Sequence, residues 1–297
     1  MVRPLREWVY TTLREAPAGI GIGEDRIVER LTLRLDLVLP DVGAREGEGL
    51  GSGGAVTSRF LAYDTSVDLL LDVVDAVLNL LSALDDLVRI PWRRDGRGAG
   101  VSPGAEAWVT GRRSELDRLL GDALSVLRVQ PDGRGLERRS DALAELAFGE
   151  ASRSAEAVPS TGSAVRQLRE AWGCVYALHP DPVKGYSQAI KAVESAALAV
   201  VEPHNAKATL GTMLGHLKAN RGSFSLVIGG PGGMGDVAPL IENMKLLWEG
   251  QTSRHGSSRP TREETLGEAV MAVHLAVMLV HWFTSGAVRR SPDLQGG

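Results

Sequence analysis

The chain has few of the residues that mark several protein classes. Its single cysteine, Cys174, lies in a Trp-Gly-Cys-Val-Tyr run. A disulfide within the chain and a zinc site built from cysteines are therefore excluded, and a small buried side chain is the expected role. The net charge of −4 argues against binding nucleic acid through overall charge, although it leaves room for a local basic surface.

Long apolar runs are also missing. No stretch reaches the roughly 18 apolar residues of a membrane-spanning helix. The most apolar run, 269–283, is interrupted by His274 and His281. The N-terminal sequence, Met-Val-Arg-Pro-Leu-Arg-Glu-Trp, lacks the apolar core of a signal peptide. We therefore predict a cytoplasmic protein with no membrane partner.

Lysine is absent from the first 183 residues, and all five lysines lie between 184 and 245. This shift indicates two parts, which we expect to be joined where residues 149–162 lack a steady apolar period. The predicted organisation is an N-terminal region over 1–150, a linker over 151–162, a helical domain over 163–285 and a flexible tail over 286–297.

The N-terminal region has the pattern of a mixed α+β fold. Its clearest helix is predicted over 66–88, where Val67 and the leucines and valines after it recur at intervals of three and four. The turn residues Pro131-Asp132-Gly133 predict a hairpin over 125–139. Further helices are predicted over 4–15, 24–38 and 112–124.

The C-terminal domain is predicted to be a helical bundle, which makes the whole chain mainly α. Asp181 and Pro182 have the residue types of a helix N-cap and first helical position. Predicted helices cover 163–177, 182–201, 208–219, 236–249 and 263–284. The side chains expected in the core are those of Trp172, Ile190, Val193, Leu247, Trp248, Val273, Val277 and Val280.

Two features that often accompany phosphate binding have simpler explanations here. From 89 to 139 there are eleven arginines and seven acidic residues. We interpret this excess as a solvated surface in preference to a phosphate-facing patch. The glycines at 49, 51 and 54 and the glycine-rich run 229–235 fit flexible connections, because neither follows a predicted strand. No cofactor is predicted.

Metal binding is not expected either. His274 and His281 are seven residues apart on one predicted helix, with no carboxylate three or four residues from them on the same face. Glu194 lies beside the inward-facing Val193, so its carboxylate needs a partner. Lys191, Arg254 and His255 are the cations considered, and pairing with Lys191 alone is a purely structural role.

Arg254 and His255 are the most compact candidate for chemistry. They lie in a Ser-Arg-His-Gly segment before the last long helix. Metal-free RNA cleavage requires a group that titrates near neutral pH, such as histidine, and a cation that stabilises the phosphorane, such as arginine. The alternative is that one of the two side chains only anchors the loop.

Several segments together resemble a known family. They are Asp181-Pro-Val-Lys-Gly-Tyr-Ser-Gln-Ala-Ile-Lys-Ala-Val-Glu194, Ala208-Thr-Leu-Gly211, Arg254-His-Gly256 and Glu268 through Phe283. This pattern resembles the abortive-infection-protein-like C-terminal domain, which is related to the HEPN superfamily of helical ribonucleases and nucleotide-binding proteins. The resemblance covers about residues 165–285.

The resemblance implies a HEPN-like bundle that binds RNA or nucleotide and forms a homodimer. It also implies metal-independent RNA cleavage by Arg254 and His255, with Glu194 in support. Active HEPN ribonucleases carry an arginine five to seven positions before the histidine, where this chain has Trp248, Glu249 and Gly250. The alternative is therefore a non-catalytic helical module for dimerisation or interaction.

Overall fold

The computed structural model describes residues 1–14, 31, 34–35, 37, 58–88, 103–159, 162–229, 235–253 and 261–290. The described chain is mainly helical, as the sequence predicts. It divides into two compact units, Met1–Arg139 and Ser140–Gly297. The predicted helix over 24–38, the glycines at 49, 51 and 54 and most of the glycine-rich run 229–235 lie outside the described residues.

In the part of unit 1 that the structure describes, the complete elements are three α-helices, a π-helical turn and one hairpin. Its elements are α1 (Val2–Arg14), a π-helical turn (Phe60–Asp64), α2 (Leu70–Val88), α3 (Pro103–Asp122), β1 (Leu127–Val129) and β2 (Leu136–Arg138). The two strands are antiparallel, which confirms the predicted hairpin. Gly133 takes a φ of +72° in the turn, a conformation that glycine adopts readily.

The start of α2 differs from the prediction. Val67 was expected to face inward, but it is 57% exposed and lies in a turn before the first helical residue, Leu70. The apolar side chains from Leu70 onward occupy the core as expected, including those of Val74 and Leu78. The apolar periodicity therefore locates the buried face of the helix but not its first turn.

Across its described residues, unit 2 is a bundle of six α-helices with two short strands. Its elements are α4 (Ala142–Glu156), α5 (Ala164–Tyr176), α6 (Pro182–Val201), α7 (Leu210–Ala219), a 3₁₀ turn (Arg221–Ser223), β3 (Phe224–Leu226), α8 (Ala238–Glu249), α9 (Leu266–Thr284) and β4 (Val288–Arg290). Asp181 accepts a hydrogen bond from the Lys184 N–H, which confirms the predicted cap of α6.

Helix α9 forms the centre of this bundle and packs against α4, α5 and α6. It is long and apolar enough to span a membrane by length and composition, yet its buried side chains belong to the bundle core. Seven of the eight predicted core residues are buried, among them Val193, Val273 and Val280. Trp248 is the exception, since it is only partly buried.

Two predicted boundaries are wrong. The expected linker over 151–162 is helical as far as Glu156, where α4 ends. This helix begins at Ala142, and the Asp141 carboxylate caps it by accepting the N–H groups of Leu143 and Ala144. The small alanines and serines of this helix hid its apolar face. The expected tail from 286 begins with β4, which pairs antiparallel with β3 some sixty residues earlier in the chain.

The C-terminal ends of α6 and α7 and the strand that follows α9 meet at one end of unit 2. The N–H of Leu210, which begins α7, donates to Glu194 in the middle of α6. His216, near the end of α7, lies 3.8 Å from Glu202, which follows α6. The strand after α9 contributes Arg290, whose guanidinium donates to the Val201 carbonyl at the end of α6.

Candidate functional site

Arg254 and His255 belong to the segment 254–260, which lies outside the described residues. The flanking residues are described on both sides. Ser253 follows the end of α8, and residues 261–265 lead into α9. The candidate site is therefore defined here by the two ends of the segment that carries it.

A buried carboxylate joins those two ends. Glu264 is only 4% exposed. One of its oxygens accepts the Ser253 N–H at 2.8 Å, and the other accepts the Ser253 hydroxyl at 2.8 Å. The Thr252 hydroxyl donates to the carbonyl of Arg262, also at 2.8 Å. The residue before Arg254 is thus fixed to the chain that starts α9.

The hydrogen bonds also determine the charge of Glu264. Desolvation is the largest single contribution and favours the neutral acid, but the hydrogen bonds from Ser253, together with the backbone N–H groups of Thr252 and Glu264, outweigh it, so the pKa lies below its usual value. The group is therefore ionised at neutral pH. We call the arrangement of Thr252, Ser253, Arg262 and Glu264 the loop clamp.

The helix that follows the loop clamp has a complete N-terminal cap. Thr265 and Glu268 form a capping box in which each side chain binds the other residue's backbone N–H. The Arg262 guanidinium contacts Glu268 through both of its terminal nitrogens. Together Arg262 and Thr265 lower the pKa of Glu268 to about 2. These contacts hold the start of α9 in a single geometry.

An apolar pocket of about 210 Å³ lies close to the loop clamp, between α8 and α9. Its lining includes Tyr186, whose hydroxyl donates to the Leu247 carbonyl at 3.1 Å. At its rim, Leu246 and Met271 are 56% and 67% exposed. Two large apolar side chains on neighbouring helices are thus presented to solvent beside the candidate loop.

Glu194 serves a role that the sequence did not predict. Its carboxylate accepts the Leu210 N–H at 2.7 Å and so satisfies one of the unpaired donors at the start of α7. A backbone donor is therefore one partner of the Glu194 carboxylate. Proximity to Arg254 or His255 is not described, and the geometry gives Glu194 a positioning role for α7.

The two histidines of α9 have separate environments. His274 Nε2 lies 2.8 Å from the Tyr176 hydroxyl, beside the ring of Trp172. Desolvation lowers the pKa of His274 and raises that of Tyr176. His281 Nδ1 is buried without a hydrogen-bond partner. In the described part of the chain, no group of three or more potential ligands could hold a metal ion.

Cys174 is half-buried, and desolvation raises the pKa of its thiol. This environment keeps the thiol protonated, which makes it a weak nucleophile. The expected role as a small packing residue fits its position on α5, although its burial is only partial.

At least one of the arginines in the arginine-rich stretch of unit 1 stabilises the fold. Arg113 lines a polar pocket of about 580 Å³ beside the hairpin. Its guanidinium donates to the Ser82 hydroxyl at 2.8 Å, and that hydroxyl donates to the Gly133 carbonyl at 2.9 Å. The chain of bonds fastens the hairpin turn to α2 and α3.

No protein-family model matches the chain, and the searches of curated proteins and of solved structures found no match either. The resemblance to the HEPN-like domain therefore depends on the sequence motifs, and the geometry of unit 2 is the independent ground for a functional proposal.

Proposed function

We propose that the protein is a cytoplasmic, abortive-infection-type protein that binds RNA through the 254–260 loop of a HEPN-like bundle. The observation that carries this proposal is the bond between Ser253 and Glu264. It fixes the loop at the start of α9, the position at which the resemblance places a functional histidine.

The loop's composition suits an anionic ligand. It contains Arg254, His255 and Arg259 and no acidic residue. Two of the neighbouring acidic side chains are occupied, since Glu264 binds Ser253 and Glu268 binds Arg262. Arginine recognises phosphate through several parallel hydrogen bonds, so the loop supplies the donors that an RNA backbone requires.

The proposed chemistry is proton transfer by His255, with Arg254 stabilising the phosphorane. The protein is incubated with a labelled RNA and EDTA, and cleavage products are separated on a gel. We expect cleavage by the wild type and none by His255→Ala or Arg254→Gln. The control variants His204→Ala and Arg166→Gln change exposed residues of the same unit and should cleave normally.

A second function is favoured by the exposed apolar pair. Leu246 and Met271 present an apolar rim beside the loop, which suits a self-complementary contact across a two-fold axis. We propose that unit 2 forms a homodimer here. If RNA is neither bound nor cleaved, the protein acts as a dimerisation module alone.

Light scattering tests the dimer. The wild type is expected at twice the chain mass of 31.7 kDa at micromolar concentration. Met271→Asp should give a monomer, whereas Leu143→Asp, at an exposed position of α4, should remain dimeric. A wild-type mass of one chain contradicts this part of the proposal.

A further inference from the structure

A second cationic region lies in unit 2 at the end opposite the loop clamp. Between Glu202 and Asp236 the sequence contains no acidic residue and three cations, Lys207, Lys218 and Arg221. The last strand, β4, adds Arg289 and Arg290. In a chain whose net charge is −4, this is a local reversal of sign.

The fold brings four of these cations to the same end of the bundle. Lys218 lies in the last turn of α7, and Arg221 begins the 3₁₀ turn that leads directly into β3. The pairing of β3 with β4 sets Arg289 opposite Ser225 and Arg290 opposite Phe224. All four cations are exposed. We call them the basic end surface.

Two of the four cations are held in place by the fold. The Arg290 guanidinium donates to the Val201 carbonyl at 3.0 Å and lies 5.5 Å from the centre of the Phe224 ring. The Arg289 Nε donates to the Gly286 carbonyl at 2.8 Å. Each guanidinium has five N–H donors, so these contacts fix its position and leave donors for a ligand.

In the described part of the chain, the two acidic residues that flank this stretch of sequence, Glu202 and Asp236, are engaged elsewhere. Glu202 has 14% of its side chain exposed; it lies 3.8 Å from His216 and accepts a hydrogen bond from Asn205. Asp236 accepts the Ala238 N–H at the start of α8. The charge of the basic end surface is therefore only partly offset by its surroundings.

We propose that the basic end surface binds the phosphate backbone of RNA. Four cations carried by the end of α7, the 3₁₀ turn and β4 suit a repeating anion, and the neighbouring Ser223 and Ser225 hydroxyls add polar groups. The only aromatic ring among them, Phe224, is 3% exposed and is not available for stacking on bases. The surface therefore recognises the backbone and not the sequence.

The position of the surface defines what a bound RNA must span. Helix α9 separates it from the loop clamp with 19 residues, which corresponds to about 28 Å. A single RNA that contacts both ends must therefore extend over about 28 Å. This inference takes RNA as the ligand because of the proposed function, but it concerns different residues.

Fluorescence anisotropy with a labelled single-stranded RNA of about twenty nucleotides tests the inference. The variant Arg221→Gln/Arg289→Gln spares the contacts of Arg290. We expect roughly tenfold weaker binding and a plot of log K against log salt that is shallower by about 1.4, since each phosphate contact to a single strand contributes about 0.7. Melting temperature should change little, because both side chains are exposed and the only contact described above that the variant removes is the exposed Arg289–Gly286 hydrogen bond.

The control Arg166→Gln/Lys191→Gln removes the same charge from exposed positions elsewhere in unit 2 and should bind as the wild type does. If Arg254→Gln weakens binding but Arg221→Gln/Arg289→Gln does not, this inference is wrong and the proposed function stands. If the wild type binds no RNA, both fail.

Two exposed apolar residues lie beside the basic end surface, so the last arm of the experiment tests whether this surface binds a membrane. Val227 and Ile228 are 58% and 83% exposed and directly follow β3. Vesicles containing phosphatidylserine are therefore tested beside RNA. Two results together would identify a membrane partner and overturn the RNA assignment. Vesicle binding would be lost in Val227→Ser/Ile228→Ser, and RNA binding would be unaffected by Arg221→Gln/Arg289→Gln.

Discussion

Ser253 donates its backbone N–H to one oxygen of Glu264 and its hydroxyl to the other, each at 2.8 Å. Eleven positions separate the two residues. The segment between them contains Arg254 and His255. The described residues on either side of this segment are thus joined through one buried carboxylate.

Glu264→Ala should free the ends of the loop and destabilise unit 2. The Ser253 N–H and hydroxyl lose their acceptor, which costs about 1–3 kcal/mol for a buried group left unsatisfied. Urea unfolding measures the loss, and hydrogen exchange at the Ser253 amide should accelerate. The control Glu263→Ala, at an exposed position, should change neither the free energy of unfolding nor the exchange rate of the Ser253 amide. An unchanged Ser253 exchange rate contradicts the role of the loop clamp.

Val277→Asp should unfold or aggregate the protein. Val277 is 5% exposed at the centre of the bundle, so the substitution buries a charge. Circular dichroism and thermal melting provide the measurement. Leu146→Asp, at a position of α4 that is 69% exposed, is the control and should melt near the wild type. A normal melting temperature for Val277→Asp would show that the buried face of α9 is assigned wrongly.

Two glycines of α7 should respond to alanine in opposite directions. A Cβ atom at Gly211 would lie 2.7 Å from the Trp248 ring, whereas a Cβ atom at Gly215 would meet nothing within 4 Å. Gly211→Ala should destabilise by about 1–3 kcal/mol through overpacking. Gly215→Ala should stabilise by up to about 1 kcal/mol, since alanine favours helices. Equal shifts in the urea midpoint would rule out close packing of Trp248 on α7.

His274 should make stability depend on pH. Desolvation lowers its pKa in the folded protein, and the Asp141 carboxylate opposes this only weakly. The unfolded chain therefore takes up the proton first, so stability is present above about pH 6.5 and falls as the pH decreases. Urea midpoints at pH 7.5, 6.5 and 5.5 should fall less steeply for His274→Phe than for the wild type. The exposed variant His204→Phe should retain the wild-type slope.

Local signals in the sequence predicted the elements that depend on a few adjacent residues. Asp181 and Pro182 located the start of α6, and the Pro131-Asp132-Gly133 turn located the hairpin. In both cases the hydrogen bonds that define the element join residues close in sequence.

Elements that depend on distant partners were missed. The pairing of β3 with β4 joins Phe224 to Arg290, and neither three-residue strand has an apolar alternation long enough to recognise. Glu194 was expected to need a cation, and the structure shows that its carboxylate also accepts the backbone N–H of Leu210, a contact that no residue-type pattern reveals. The loop clamp was missed for the same reason. Nothing in the sequence around Glu264 distinguishes it from any acidic residue that precedes a helix.

RNA binding by the loop is the central claim, and its most direct test is an equilibrium titration. A labelled RNA is titrated with the wild type and with Arg254→Gln/His255→Ala in EDTA, and anisotropy is recorded. We predict that the double variant binds at least about tenfold more weakly, a loss of about 1.4 kcal/mol, with an unchanged melting temperature. Equal affinities for the two proteins would contradict the account.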